Sequence, residues 1–267
     1  MSASTLGTAI ITGASTGIGA TYADRLARRG HDLVLVARNA ERLAALAERL
    51  RVETGRTIEL LVADLGQSAD VARVEARLAE GDVTMLVNNA GMSLHNDTLD
   101  NTPEDIETII ALNITAAGRL AIAAGRAFAA RGNGAIVNTA SILGVDYELY
   151  EGIYAGSKAF LLALSGNIAQ RVRDNGVRVQ AVLPGATRTE IWERAGKDVD
   201  SFPADWVMDV NDLVDAALVG LDRGEEVTIP PLADEALWIT YEEARLAMKG
   251  QLSRREPAAR YREAVVA

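Results

Sequence analysis

The chain has 267 residues, a formal net charge of −10 and no cysteine. A broad basic surface for nucleic acid or an anionic membrane is therefore not expected, and disulfides and thiolate metal sites are excluded. Because there are only two histidines, a multi-histidine site is excluded too, and we predict no metal. Residues 1–15 lack the regions of a signal peptide, and no apolar run reaches the roughly 18 residues of a membrane span. We expect a cytoplasmic protein.

Short apolar runs rich in Val and Ile alternate with longer segments of helical period. In chain order, strands are predicted at 8–12, 32–37, 57–64, 83–89, 134–140, 176–184 and 225–230. Helices are predicted between them, at 17–29, 39–53, 68–80, 103–131 and 150–173. Continuous apolar strands indicate burial on both faces. The alternation of strands and helices therefore predicts an α/β fold. We expect a doubly wound parallel sheet of Rossmann-like type, with about seven strands and helices on both faces.

A glycine-rich loop follows the first strand and opens the first helix. It reads TGASTGIG at 12–19 and spaces Gly13, Gly17 and Gly19 as G-x-x-x-G-x-G. Glycine lets the backbone turn tightly and approach a pyrophosphate, and the helix N-terminus offers free N–H groups. A glycine-rich surface turn is the alternative. The strand–loop–helix context favours dinucleotide binding.

The end of the second strand meets the adenosine ribose in such folds. Ala37 stands where an acid would bind the 2′-hydroxyl of NAD(H), and Arg38 follows it. A guanidinium suits a phosphate, so the pair favours NADP(H) over NAD(H), although a solvated Arg38 is the alternative. Asp64 and Leu65, after the third strand, are placed near the adenine, but Asp64 is also a candidate helix cap.

Several motifs in order resemble those of the short-chain dehydrogenase/reductase family over about residues 5 to 230. They are TGASTGIG, NNAG at 88–91, ALNIT at 111–115, NTAS at 138–141, YAGSK at 154–158 and PGATRTE at 184–190. The resemblance implies a catalytic tetrad of Ser141, Tyr154, Lys158 and Asn113, in which Asn113 holds a water that relays protons to Lys158.

The same resemblance implies where the cofactor binds. Residues of the glycine loop would contact it, namely Gly13, Ser15, Thr16, Gly17, Ile18 and Gly19. Beyond the loop, contacts are implied at Asn89, Ala90, Gly91, Tyr154, Lys158, Pro184, Gly185, Thr187 and Thr189. Thr189 would bind the nicotinamide carboxamide, and the loop itself contains no Lys or Arg.

Tyr154 and Lys158 stand four residues apart, so on a helix both side chains face one site. A nearby ammonium favours the phenolate, so we predict that Lys158 lowers the pKa of Tyr154. Tyr154 would then protonate a carbonyl oxygen while hydride is delivered to the carbon. Ser141 would bind the same oxygen. The predicted activity is NADPH-dependent reduction of a ketone or aldehyde, or the reverse oxidation of an alcohol.

Substrate contacts are expected from the loops at 92–97 and 142–152 and from a lid at about 186–207. Within the lid, four apolar residues either cover the pocket or pack as core, namely Ile191, Trp192, Phe202 and Trp206. Asp146, Glu148 and Glu151 are interpreted as solvated loop charges. A helical extension is predicted at about 233–267, as part of a single domain of 1–267, and it would cover the pocket or join a subunit interface.

Two alternatives remain open. One is a 3-oxoacyl-carrier-protein reductase, against which the acidic loop at 146–151 argues because the carrier is acidic. The other is a non-catalytic NADP(H)-binding regulator, and such proteins tend to lose the tyrosine or the lysine. The resemblance also implies a homodimer or homotetramer that pairs the helices near 103–131 and 150–173. A small-molecule carbonyl or alcohol is the expected substrate, with no nucleic acid or membrane partner.

Overall fold

The computed structural model describes residues 6–262, apart from the side chain at 194. Within this range, seven strands form one parallel sheet in the order β3-β2-β1-β4-β5-β6-β7. The strands are β1 Thr8–Thr12, β2 Asp32–Ala37, β3 Ile58–Val62, β4 Val83–Asn88, β5 Gly134–Thr139, β6 Val177–Val182 and β7 Val227–Thr228. The order reverses between β1 and β4, which creates a crevice at the carboxyl ends of the strands.

Helices connect the strands as the alternating pattern predicts. They are α1 Gly17–Arg28, α2 Ala40–Thr54, α3 Ser68–Leu78, α4 Pro103–Ile109, α5 Ala117–Arg131, α6 Gly152–Val172, α7 Ile191–Arg194, α8 Val210–Arg223 and α9 Glu235–Ala247. The predicted doubly wound fold is therefore confirmed. One difference is that β7 has two residues where six were predicted, and another is that α4 and α5 are joined by a π-helical segment, Ile110–Ala116.

Alternate residues of the buried strands supply two apolar cores, one on each face of the sheet. Ile11 and Leu35 belong to the core that includes residues of α1, α2 and α8. Ile10 and Val34 belong to the core that includes residues of α3, α5 and α6. Because both faces are covered, the central strands are mostly apolar, whereas strands nearer the edges contain polar residues such as Glu59 in β3 and Gln180 in β6.

The long helical stretch Pro103–Arg131 is apolar enough, by length and composition alone, to cross a membrane. Half of its most apolar window is buried within the protein. Leu120, Ala124 and Phe128 are fully buried and pack in the core with α3 and α6. This is the placement of a core helix, and the absence of a membrane partner stays a prediction.

The chain divides into two compact units, with the division between Pro231 and Leu232. In the second unit, α9 is shorter than the helical extension predicted at 233–267, and Trp238 and Tyr241 stack with ring centroids 5.2 Å apart. The last five residues of that extension lie outside the described residues. The single-domain organisation and the role of the extension stay predictions.

Candidate active site

Three of the predicted catalytic side chains meet at the carboxyl end of the sheet. Ser141 follows β5, and its side chain is hydrogen-bonded to that of Tyr154 near the start of α6. Lys158 follows one turn later, and its Nζ lies 5.4 Å from the centroid of the Tyr154 ring. The four-residue spacing thus places phenol and ammonium in one site, as predicted.

The electrostatics of Tyr154 differ from the prediction. Burial raises the pKa of the phenol above its ordinary value of 10.0, and proximity to Tyr150 raises it further, while the hydrogen bond to Ser141 lowers it. The prediction that Lys158 lowers this pKa is wrong here, because loss of hydration outweighs the other influences. Tyr154 is consequently held in its protonated form, which a general acid requires.

Lys158 is itself buried, with 6% of its surface exposed. Its Nζ donates a hydrogen bond to the carbonyl oxygen of Thr139 at 2.8 Å. Burial lowers the pKa of the ammonium to about 8, because the charged form has lost most of its hydration. The cation is therefore held close to the site without a carboxylate among its described contacts.

Asn113 lies in the π-helical segment between α4 and α5. Its Nδ2 donates to the carbonyl of Met92 at 2.8 Å and to Ser157 Oγ at 3.1 Å, while its Oδ1 accepts from the Met92 N–H at 2.9 Å. Asn113 Oδ1 and Lys158 Nζ both border Gly91, at 3.3 and 3.6 Å from the position a Cβ would take there. The fold brings this fourth residue beside Lys158, and the proton relay stays a prediction.

Glu151 has a role that the sequence analysis missed. It was interpreted as a solvated loop charge, but only 3% of it is exposed. Its carboxylate caps α6 by accepting from the N–H groups of Ile153 at 2.7 Å and Tyr154 at 2.6 Å, and it also accepts from Asn101 Nδ2 at 3.0 Å. Its position just before the predicted helix is a signal that was available. Glu151 therefore holds the backbone of Tyr154 directly.

The glycine loop is packed too tightly for larger residues. A Cβ on Gly13 would lie 2.9 Å from Asn89 Nδ2, and one on Gly19 would lie 2.3 Å from the carbonyl oxygen of Gly13. Gly17 has a positive φ of 53°, and a Cβ there would lie 3.1 Å from Thr189 Cγ2. The exposed backbone is thereby kept free of side-chain bulk at the N-terminus of α1, as pyrophosphate binding requires.

The other loop residues and the NNAG motif support this arrangement. Ser15 and Thr16 are half-buried, and Ile18 packs against the core. The N–H groups of Asn89 and Ala90 both donate to Thr12 Oγ1 at 2.9 Å. The fourth strand is thus tied to the start of the loop.

At the adenosine side, Arg38 is exposed at the end of β2, and no ion pair of this side chain occurs among the described contacts. The preceding residue, Ala37, has no carboxylate that could bind the 2′-hydroxyl of NAD(H). The Asp64 carboxylate accepts from the Gly66 N–H at 3.0 Å, so it stabilises its own turn, and α3 begins only at Ser68. Leu65 is buried in the core. The cofactor contacts predicted for Asp64 and Leu65 stay predictions.

The segment after β6 faces the glycine loop and Ser141, the predicted catalytic serine. Pro184 accepts at its carbonyl oxygen from the N–H of Ile142 at 3.0 Å, which holds the loop after β5. Thr187 is buried and donates to the carbonyl of Gly185 at 3.1 Å, and Thr189 lies against Gly17. These contacts place the predicted nicotinamide segment between the phosphate loop and Ser141.

An aromatic series leads from Tyr154 into the predicted lid. Tyr150 meets Tyr154 edge-on with ring centroids 6.3 Å apart, and meets Trp192 in the same way at 6.2 Å. Trp192 in turn lies 4.8 Å from Phe202, whereas Trp206 is 55% exposed. Several residues of the predicted lid, among them Arg188, Trp192 and Lys197, line a cleft of about 480 Å³. The sequence analysis missed Tyr150, although it precedes Tyr154 by the same four residues that separate Tyr154 from Lys158.

These residues fit a nicotinamide dinucleotide. The glycine cradle leaves backbone N–H groups for a pyrophosphate, Arg38 offers a guanidinium beside the predicted ribose position, and Lys158 and Thr189 border the nicotinamide position. No cluster of three or more His, Asp or Glu side chains within residues 6–262 could hold a metal ion.

Comparisons with known proteins show which enzyme family this chain resembles. The chain is similar to a short-chain dehydrogenase from Sphingobium yanoikuyae in complex with NADPH, at 52% identity and a TM-score of 0.93, with 96% of this chain and 100% of that chain covered. It is similar to a bulky-bulky ketone specific alcohol dehydrogenase from Comamonas testosteroni, at 46% identity and a TM-score of 0.88, with 96% and 98% covered.

A curated relative gives the same class of enzyme. Human 17-beta-hydroxysteroid dehydrogenase type 3 is 32% identical over 200 residues, which are 74% of this chain but only 64% of the human protein. Residues 7–200 match the family described as short chain dehydrogenase. The chain belongs to the short-chain dehydrogenase/reductase family and is an NAD(P)-dependent oxidoreductase that acts on CH–OH or C=O groups.

Proposed function

We propose that this protein reduces ketones or aldehydes with NADPH, and oxidises the corresponding alcohols in reverse. One observation carries the proposal: Ser141 and Tyr154 are hydrogen-bonded beside the Lys158 ammonium, at the sheet end where the glycine loop opens. This combination provides a proton donor and a charge for a developing oxyanion next to a dinucleotide site.

The chemistry follows from the environment of each side chain. The bound nicotinamide supplies the hydride for the carbonyl carbon. Tyr154, kept protonated by burial, gives its proton to the carbonyl oxygen, and Ser141 donates a hydrogen bond to that oxygen. Lys158 stabilises the phenolate left on Tyr154, because a nearby cation in a poorly solvated site acts strongly on a new negative charge. The phenol then regains its proton from solvent.

The preference for NADPH rests on Arg38. Its guanidinium is exposed at the end of β2, where Ala37 removes the acid that would favour NADH. The similar Sphingobium yanoikuyae protein was solved in complex with NADPH, which supports the same choice.

A bulky ketone is the substrate class that we favour. The Comamonas testosteroni enzyme is named for bulky-bulky ketones, and the cleft of about 480 Å³ beside Trp192 offers room for a large group. Reduction of an acyl-carrier substrate is less favoured, because Asp146 and Glu148 are exposed acidic residues near the site. Glu151, which belonged to the same argument, is buried and no longer contributes to it.

We also propose a cytoplasmic homo-oligomer. Ile122 on α5 and Phe160 on α6 are 39% and 37% exposed, and they lie on the two helices predicted to pair between subunits. Light scattering on the purified chain would test the oligomeric state, and a monomer at micromolar concentration would contradict the proposed homo-oligomer.

The central experiment measures consumption of NADPH and NADH with a panel of ketones, aldehydes, sugars and a 3-oxoacyl thioester. We expect the highest kcat/KM with NADPH and an aryl ketone. Better use of NADH would contradict the Arg38 argument. Tight NADPH binding without consumption across the panel would favour the non-catalytic regulator.

A further inference from the structure

The hydroxyl of Tyr150 is buried and has no hydrogen-bond partner among residues 6–262. Its ring lies between Tyr154 and Trp192, with both contacts edge-on. The Nζ of Lys197, in the predicted lid, lies 3.8 Å from the centroid of the same ring. The Tyr150 ring is therefore held on several sides, while its hydroxyl group is left without a hydrogen bond.

An unpaired buried hydroxyl is unfavourable, so it calls for a physical explanation. Tyr150 lies within electrostatic reach of the Tyr154 phenol, whose pKa it raises. Because the two ring centroids are only 6.3 Å apart, a small molecule bound to Tyr154 lies within reach of Tyr150. The missing partner is best supplied by that molecule.

We propose that Tyr150 is a specificity-determining residue, whose hydroxyl donates a hydrogen bond to a second acceptor on the substrate, close to the carbonyl reduced at Tyr154. This inference rests on the proposed reductase function and narrows its substrates. The favoured class consists of ketones with an oxygen on the carbon next to the carbonyl, or one carbon further, flanked by a bulky group against Trp192. A site that donates to such an oxygen discriminates against the analogue lacking it, because the donor is then left unpaired.

The test uses two ketones of nearly equal size. The first, 2-methoxy-1-phenylethanone, carries an ether oxygen that accepts but does not donate, and 1-phenylbutan-1-one has a methylene in its place. The variant Tyr150→Phe removes only the hydroxyl. Tyr147→Phe is the matched control, because it removes a hydroxyl from the same loop at a residue that is 63% exposed.

We expect Tyr150→Phe to lower kcat/KM for the methoxy ketone by about tenfold, the size of one buried hydrogen bond, and to change that for the methylene analogue by less than about twofold. Tyr147→Phe should leave kcat/KM unchanged for both ketones. Equal losses on both ketones would overturn the proposal, because the hydroxyl would then act through Tyr154 or the fold. No loss on either would overturn it as well.

Binding provides a second readout that does not depend on turnover. Quenching of tryptophan fluorescence, with Trp192 beside the ring, reports the Kd of each ketone for the NADP⁺-bound protein. A roughly tenfold weaker Kd for the methoxy ketone alone in Tyr150→Phe supports the proposal. If wild-type turnover is absent while this selective weakening is seen, only the proposed reductase function fails. Equal Kd values in wild type and variant, or no binding of the methoxy ketone to wild type, would overturn the proposal.

Discussion

The ammonium of Lys158 lies 5.4 Å from the centroid of the Tyr154 ring, and its hydrogen bond goes to the carbonyl of Thr139. Burial raises the pKa of the phenol and lowers that of the ammonium to about 8, so near pH 7 the phenol is protonated while most of the lysine is still charged. In the proposed reaction, the pair is therefore arranged for the moment after proton transfer, when the phenolate needs a nearby cation. Before that moment, the low polarity of the site keeps the acid protonated.

Replacing Tyr154 by Phe should remove the acid without changing the shape of the site. We expect turnover to fall by about 10²- to 10⁴-fold, the usual contribution of a general acid, while the Kd for NADPH stays unchanged. Stopped-flow reduction of an aryl ketone and fluorescence titration of NADPH measure the two quantities. Wild-type turnover in this variant would show that another group supplies the proton.

The buried Lys158 predicts a specific dependence of stability on pH. Its pKa is lowered from 10.5 to about 8 on folding, so between these values the unfolded chain binds more protons than the folded one. The free energy of unfolding should consequently rise with pH across this window, by at most about 1.4 kcal/mol per pH unit from this residue. Below pH 8 both states are protonated, and the residue contributes no slope.

Lys158→Met should lack this contribution to the rise in the free energy of unfolding, because the methionine side chain does not titrate between about pH 8 and 10.5. Urea denaturation of wild type and variant at intervals from pH 7 to 10 measures the difference. Parallel pH profiles for the two proteins would contradict a lowered lysine pKa. The comparison is confined to pH 10 and below, since tyrosines with raised pKa values, such as Tyr22, reduce stability above it.

Glu151→Ala should affect both stability and catalysis, because the carboxylate caps α6 and accepts from the Tyr154 N–H. We expect a loss of about 1 kcal/mol in the free energy of unfolding, the usual effect of removing a cap, and a lower kcat at temperatures where the protein stays folded. Chemical denaturation and steady-state kinetics measure the two effects.

Asp209→Ala is the matched control, since Asp209 caps α8 by accepting from the Asn211 N–H at 2.8 Å. It should lose similar stability but retain kcat. If both variants lowered kcat equally, Glu151 would act only through overall stability and would not position Tyr154.

Arg38→Gln should weaken binding of 2′,5′-ADP by roughly 10- to 100-fold, because a hydrogen bond to a charged group contributes about 1.5–3 kcal/mol. Binding of 5′-AMP should stay unchanged. Isothermal titration calorimetry measures both without any turnover. Arg126→Gln, an exposed arginine on α5, makes the same charge change elsewhere and should affect neither ligand. An equal loss for both nucleotides would contradict phosphate recognition by Arg38.

Much of this protein was predictable from local pattern. Continuous apolar strands separated by helical segments require burial on both faces, so they specify a parallel sheet covered on both sides. The glycine spacing at 13, 17 and 19 specifies a tight loop, and the four-residue spacing of Tyr154 and Lys158 specifies a shared helix face. These features depend on backbone geometry and periodicity, which act over a few residues.

Burial and contacts between distant segments were decided only by the tertiary structure. Glu151 caps α6 through local contacts, but its burial was decided by the fold, because Asn101, fifty residues earlier, donates a hydrogen bond to its carboxylate. The pKa shifts of Tyr154 and Lys158 follow from packing against distant segments. The same holds for Tyr150, whose ring lies beneath Lys197 Nζ and whose buried hydroxyl is unpaired among the described residues. Hydration is lost only when such segments come together, and no local pattern records that loss.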